Sequence, residues 1–161
     1  METITLTPIG TIHTPHDDIK GMPIQPVAAG GVRGLIELLP EYTDGLKDME
    51  GFSHITLVYL FHKIRNHELQ VVPFMDTVPR GIFACRAPKR PNPIGISTVK
   101  LVSVNGNIIE IEEADMLNGT PLLDIKPFYP RYDHRENTRS GWLDSCTGIP
   151  KDRFYADDRF R

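Results

Sequence analysis

Cysteine is nearly absent from this chain. Cys85 and Cys146 are the two that occur, too few and too far apart for a disulfide framework or a cysteine-based zinc knuckle. Long apolar runs are missing too: none approaches the roughly 20 residues of a spanning helix. The opening METITLTPIG lacks the basic-then-apolar pattern of a secretory leader. A cytoplasmic chain with no membrane segment is the expectation. Net charge is small, −3 with a pI of about 6.0, which argues against a general nucleic-acid coat. There is no βαβ alternation and no glycine fingerprint opening a helix, which argues against a Rossmann-type cofactor domain. The histidines do not assemble into a ligand set. His13 and His16 are separated by Thr14-Pro15, His62 and His67 match poorly on a helical face, and no acidic or cysteine cluster completes either pair. No metal is expected. No serine sits in a nucleophile elbow and Cys85 has no local base, so covalent hydrolysis has no support.

What the chain does have is proline and glycine, 14 and 13 among 161 residues, with 40% hydrophobic composition and a mass of 18.2 kDa. That is enough chain for one core. Proline is excluded from helix interiors and central strands, so such punctuation favours short strands joined by turns. Residues 4–12 alternate around Pro8 as an edge strand would, and residues 32–39 and 54–62 read as strands, the latter buried. Leu46, Met49 and Phe52 recur at helical spacing and mark a short helix. Residues 71–74 and 81–86 read as further short strands. Residues 96–104 and 108–114 form a hairpin around Asn105-Gly106-Asn107, where Asn-Gly supplies the positive φ of a tight turn. Residues 121–128 make a last strand. The pattern predicts a mainly β chain, a barrel or sandwich of about seven strands with minor short helices. Residues 1–130 would form the barrel domain. Residues 131–161, polar and anchored by Trp142 and Leu143, would be a tail packed on the barrel or a partner subunit.

Charge is uneven. Arg80, Arg86, Lys89, Arg90 and Lys100 fall in one segment without an acidic residue, which leaves 13 basic against 21 acidic residues elsewhere. This is a local anion site rather than a coat. Within the segment, Pro88, Pro91 and Pro93 fix φ around Arg90 and Asn92, either as a stiff connection between strands or as a ligand clamp with little entropy to lose on binding. Gly95 lets the backbone pass close to something. Asp124 and Lys126 are two apart on a strand and share a face. They form either an ion pair at a sheet edge or a polar pair for a ligand.

Taken in order, Gly51-Phe52-Ser53-His54, Phe61-His62, Gly81-Ile82-Phe83-Ala84, Arg90-Pro91-Asn92-Pro93-Ile94-Gly95, Asn118-Gly119-Thr120-Pro121 and Asp124-Ile125-Lys126-Pro127 resemble the TsaA-like family, whose best understood member is the tRNA methyltransferase TrmO. The resemblance covers residues 9–130. It implies a single-sheeted β-barrel, a homodimer, and S-adenosyl-L-methionine bound near the subunit interface. The reaction it implies is methyl transfer to N6 of threonylcarbamoyladenosine beside the tRNA anticodon. Carried over by motif, the cofactor would meet Gln25, Pro26, His62, Lys63, Arg86, Gly95, Ile96, Asp115, Met116, Leu117 and Asn118. Arg90, Asn92, Asp124 and Lys126 are the candidates for substrate contact, with the tRNA anticodon loop facing the basic segment. His62 and Asp124 are proton acceptors by residue type alone, and no catalytic residue is assigned. The chain departs from the family in having Asn118 where Asp is usual, and in lacking the further C-terminal domain of the longer bacterial members. A methyltransferase acting on a small molecule or another RNA, and a non-catalytic module that senses the cofactor, stay open as alternatives.

Overall fold

The computed structural model describes residues 2–146 and 154–160. Eight strands form: β1 (Gly10–His13), β2 (Arg33–Leu38), β3 (His54–Leu60), β4 (Gln70–Val71), β5 (Arg80–Gly81), β6 (Ile94–Asn105), β7 (Ile108–Glu112) and β8 (Thr120–Pro127). Six of them close one antiparallel barrel in the order β1-β2-β7-β6-β3-β8, with β8 returning to β1. β4 and β5 form a separate two-stranded ribbon. The chain adopts the mainly β architecture expected from the pattern, and its main sheet closes into the barrel that the resemblance implies. The alternation is visible strand by strand. In β2, β3 and β7 every second side chain is buried, and Ile36, Ile55, Leu57, Val99, Ile109 and Ile111 meet in the barrel interior. Each such side chain contributes roughly 1.5–3 kcal/mol on burial, and closure leaves no open edge.

Local expectations are corrected in four places. The edge strand expected over residues 4–12 begins only at Gly10 and is no edge, because β1 pairs with β2 on one side and β8 on the other. The strand expected over 81–86 stops at Gly81, and Ile82–Ala84 coil into a 3-10 turn that buries Ile82. The strand expected over 71–74 is Gln70–Val71. The helix expected through Leu46, Met49 and Phe52 is two 3-10 turns, Pro40–Leu46 and Met49–Gly51. Asp48 stands between them at φ 64, and this left-handed residue breaks the periodicity and leaves Phe52 exposed. The hairpin forms as read, with Gly106 at φ 60 and Asn105 opposite Ile108. One α-helical turn, α1 (Pro130–Asp133), follows β8. Part of the expected tail, residues 147–153, lies outside the described residues.

A second apolar cluster sits outside the barrel. Val71, Ile82 and Ala87 pack with Phe160, and Phe74 meets Phe160 edge to face at 4.9 Å. Backbone bonds tie residues 154–156 to the early loop, Ile24 N to Phe154 O at 2.9 Å and Ala156 N to Met22 O at 2.8 Å. Arg159 Nη1 donates to Pro73 O at 2.5 Å.

Gly95 faces Tyr59 across the β3–β6 ladder, and a Cβ on it would stand 2.3 Å from the Tyr59 ring. That is the close approach its position in the motif calls for. Gly95→Ala should therefore lower stability by about 1–3 kcal/mol, the usual cost of overpacking. An unchanged thermal midpoint would show that the ring can move aside freely.

Candidate active site

A cavity of about 800 Å³ lies between the barrel and the second cluster. Its wall takes Tyr59 from β3, residues 61–64 beyond that strand, residues 83–88, Gly95 and Ile96 from β6, and residues 115–117 ahead of β8. The early loop and the tail contribute Gln25, Trp142 and Phe160 among others. Of the residues expected at the cofactor, Gln25, His62, Lys63, Arg86, Gly95, Ile96, Asp115, Met116 and Leu117 line this cavity, and so does Arg90. Pro26, Asn92, Asn118, Asp124 and Lys126 do not.

Asp115 is the group that gives the cavity its chemistry. It is 6% exposed, and among the described residues its Oδ1 is the one buried side-chain nitrogen or oxygen with no hydrogen-bond partner. Its place is fixed by its neighbours' carbonyls. Thr14 Oγ1 donates to Met116 O at 2.8 Å, Thr120 Oγ1 to Leu117 O at 2.7 Å, and His16 Nε2 lies 3.2 Å from Ala114 O. With the backbone held on both sides, the carboxylate stays where desolvation is unfavourable. Burial pushes its pKa up to about 7, against the opposing pull of the Ser97 hydroxyl and the Arg86 guanidinium. Ser97 in turn pairs with the Tyr59 hydroxyl at 3.0 Å, linking the carboxylate to the ring packed on Gly95. Burial and the Asp115 charge raise the Tyr59 pKa.

His62 stands two residues beyond the end of β3, with Nδ1 3.3 Å from Thr120 Oγ1. A threonine hydroxyl has one proton, and Thr120 directs it to Leu117 O. Nδ1 therefore carries the ring proton of neutral His62, and Nε2 is left with its lone pair. Burial, and then the charges of Lys63 and Arg65, lower the His62 pKa, so the ring is neutral at pH 7.

Arg86 reaches across the wall, Nη1 donating to Gln25 Oε1 at 3.3 Å. Arg90 acts inward: Nη1 donates to Ile82 O at 2.8 Å and to Cys85 O at 2.9 Å, fastening the turn between them. The residue expected at the substrate is, in this structure, a guanidinium on the cavity wall that holds a loop. Asn92 is exposed on the proline-rich elbow. Asn118 Nδ2 donates to Asp17 at 3.0 Å. Lys126 Nζ pairs with Asp124 Oδ2 at 2.8 Å, and since the barrel is closed this pair lies on an interior strand of the sheet rather than at an edge. Pro26 opens the 3-10 turn Pro26–Ala28 beside Gln25.

Sequence reasoning missed Tyr59, Ser97 and Phe83, and it left Trp142 without a site. Trp142 Nε1 donates to Ala84 O at 2.8 Å under the Arg80 guanidinium, 5.1 Å away. The burial of Ser97 was legible in the alternation of β6. Its pairing with Tyr59 depends on cross-strand register, which the sequence does not display.

The side of this antiparallel barrel thus opens on a buried carboxylate, a neutral histidine and an arginine. The family described as tRNA-methyltransferase O N-terminal domain matches residues 11–134, and the chain belongs to that family. A Pyrococcus abyssi protein named a probable S-adenosyl-L-methionine-binding protein is 53% identical over 141 residues, which is 88% of this chain and 77% of its own. The tRNA (adenine(37)-N6)-methyltransferase of Rattus norvegicus is 34% identical over 139 residues, 81% of this chain and 32% of its own. A crystal structure of TrmO from Pseudomonas aeruginosa superposes with a TM-score of 0.74 at 35% identity, covering 87% of this chain and 62% of that one. This chain therefore spans less than two thirds of the solved TrmO chain.

A carboxyl with a raised native pKa has a signed effect on stability. Between its ordinary value of 3.8 and about 7, the unfolded chain has lost a proton that the native chain keeps. The Asp115 contribution to stability therefore falls as pH rises through this window and is level above it. Comparison with Asp115→Asn isolates the effect: the variant should gain on the wild type from pH 4 to pH 7 in denaturant titrations. A difference that does not vary with pH would show Asp115 to be ionised throughout.

Proposed function

We propose that the chain is an S-adenosyl-L-methionine-dependent methyltransferase acting on N6 of threonylcarbamoyladenosine beside the tRNA anticodon. The observation that carries this reading is the unpartnered Asp115 Oδ1 on the wall of a cavity large enough for a nucleoside cofactor. A buried carboxylate oxygen without a donor suits a ligand that brings a cation or a hydroxyl. Apolar neighbours such as Phe61, Ile96 and Met116 suit an adenine and a methionyl chain. The family membership and the names of the relatives support the same reading.

The bound cofactor supplies a methyl group already activated on a sulfonium. What remains for the protein is alignment, exclusion of water and removal of one proton. Asp115 would face the cationic end, and Arg86 would take the cofactor carboxylate. The methyl-accepting nitrogen gives up a proton as its bond to carbon forms. His62 Nε2, neutral and with its tautomer set by Thr120, is the group on the wall suited to accept it. The positive charges of Lys63 and Arg65 then favour return of that proton to solvent. Asp124, the other acceptor by residue type, is paired with Lys126 away from the cavity. The homodimer implied by the resemblance belongs to this reading, with the exposed Ile96 as an apolar side chain that a second copy would cover.

Three measurements test this. Incubation with cofactor and tRNA bearing threonylcarbamoyladenosine should yield its N6-methyl form in nucleoside mass spectrometry, and an unchanged nucleoside profile would contradict the proposal. Asp115→Asn should weaken cofactor binding in calorimetry by about tenfold or more, as expected for loss of a charged contact of roughly 1.5–3 kcal/mol. His62→Gln should instead lower kcat and leave cofactor affinity close to that of the wild type. Equal cofactor affinity in Asp115→Asn would remove Asp115 from the site.

A further inference from the structure

Phe83 stands at the mouth of the cavity. It is 76% exposed, the most exposed of the large apolar side chains on the cavity wall among the described residues. Its backbone is unusually well held for a turn. Ile82, 1% exposed, anchors one side in the second apolar cluster, and its N–H donates to Leu69 O at 3.0 Å. Arg90 binds the carbonyls of Ile82 and Cys85, and Trp142 binds that of Ala84. The carbonyls before and after Phe83 are thus tied down while its ring stands out in solvent. The Arg90 guanidinium lies over the ring, 5.8 Å from its centroid, a cation–π contact that braces the ring from one side.

A flat apolar ring presented so rigidly at the mouth of a ligand cavity loses little entropy when something stacks on it. The surrounding charge says what that is. Lys63 shares the wall with Phe83, Arg65 lies two residues from Lys63, and among the described residues neither forms an ion pair within 4 Å. An exposed aromatic ring beside uncompensated cations is the combination that binds single-stranded nucleic acid, with bases on the ring and phosphates on the charges.

We infer that Phe83, braced by Arg90, is a stacking platform for an unpaired RNA base at the mouth of the cavity, with Lys63 and Arg65 meeting the adjoining phosphates. The inference rests on the methyltransferase reading and adds to it the residue that seats the acceptor strand. Arg90 is then a positioning residue, acting on RNA through the ring it holds. No bond is made or broken at the platform.

The test uses the full chain, with S-adenosyl-L-methionine and tRNA bearing threonylcarbamoyladenosine as probes, and three variants: Phe83→Ala, Phe83→Leu and Phe83→Trp. The side chain is exposed, so all three should fold, and thermal midpoints check this. The Ala and Leu variants should bind tRNA about 5- to 150-fold more weakly, the range found when stacked bases lose their aromatic partner. Trp should restore binding, and cofactor affinity and molecular mass in solution should not change. Ala and Leu variants that bind tRNA like the wild type would overturn the platform while leaving the methyltransferase reading in place. A fall in molecular mass on Phe83→Ala would overturn it in favour of a second copy of the chain on this ring. A wild type that neither binds nor methylates the tRNA would overturn the platform together with the reading it rests on.

Discussion

Asp115 holds a carboxylate oxygen out of water with nothing inside the chain to meet it. Leaving a buried polar group unpaired costs about 1–3 kcal/mol, more if it is charged, and native proteins rarely tolerate it without a compensating role. Here the surroundings keep the group in place. The carbonyls of Ala114 and Met116 are engaged by His16 and Thr14 from the early loop, and that of Leu117 by nearby Thr120, so the backbone is held against rotating Asp115 to solvent. The destabilised carboxylate is a consequence of the architecture, and a ligand with positive charge would relieve it.

The barrel explains how such a site is built without a helix or a glycine-rich loop. Closing six strands places the ends of β3 and β6 beside the link into β8. Gly95 leaves space for the Tyr59 ring, Tyr59 meets Ser97, and Ser97 acts on Asp115. The link into β8 also sets the tautomer of His62 through Thr120. One short segment therefore controls both Asp115 and His62, the acid held high and the base held low. The second cluster, with Phe160 and the Trp142 contact, supplies the opposite wall.

Much of this was legible in the residues and part was not. The alternation in β2, β3, β6 and β7 reflects period-2 burial, and Asn105-Gly106 reflects turn geometry, so both were readable locally. The apparent strand over 81–86 misled because its apolar content serves an anchor, Ile82, rather than a ladder. The Leu46–Met49–Phe52 spacing misled because Asp48 adopts a left-handed conformation between two turns. Arg90 and Asn92 stood out as a rigid pair, yet the structure turns Arg90 toward backbone carbonyls and leaves Asn92 exposed off the cavity. Asp124 and Lys126 share a face as their spacing requires, and they meet each other. Which polar residue would be buried without a partner depends on packing among segments roughly a hundred residues apart, such as Thr14 with Met116, and no local pattern records that.

Calorimetric titration of S-adenosyl-L-methionine near pH 6.5, repeated in buffers of different ionisation enthalpy, tests the central claim most directly because it counts protons exchanged on binding. If the ligand's positive charge settles beside Asp115, binding must ionise a carboxyl that is largely protonated in the free protein, so the wild type should release protons and Asp115→Asn should not. Binding with no proton release, or the same release from both proteins, would contradict the account.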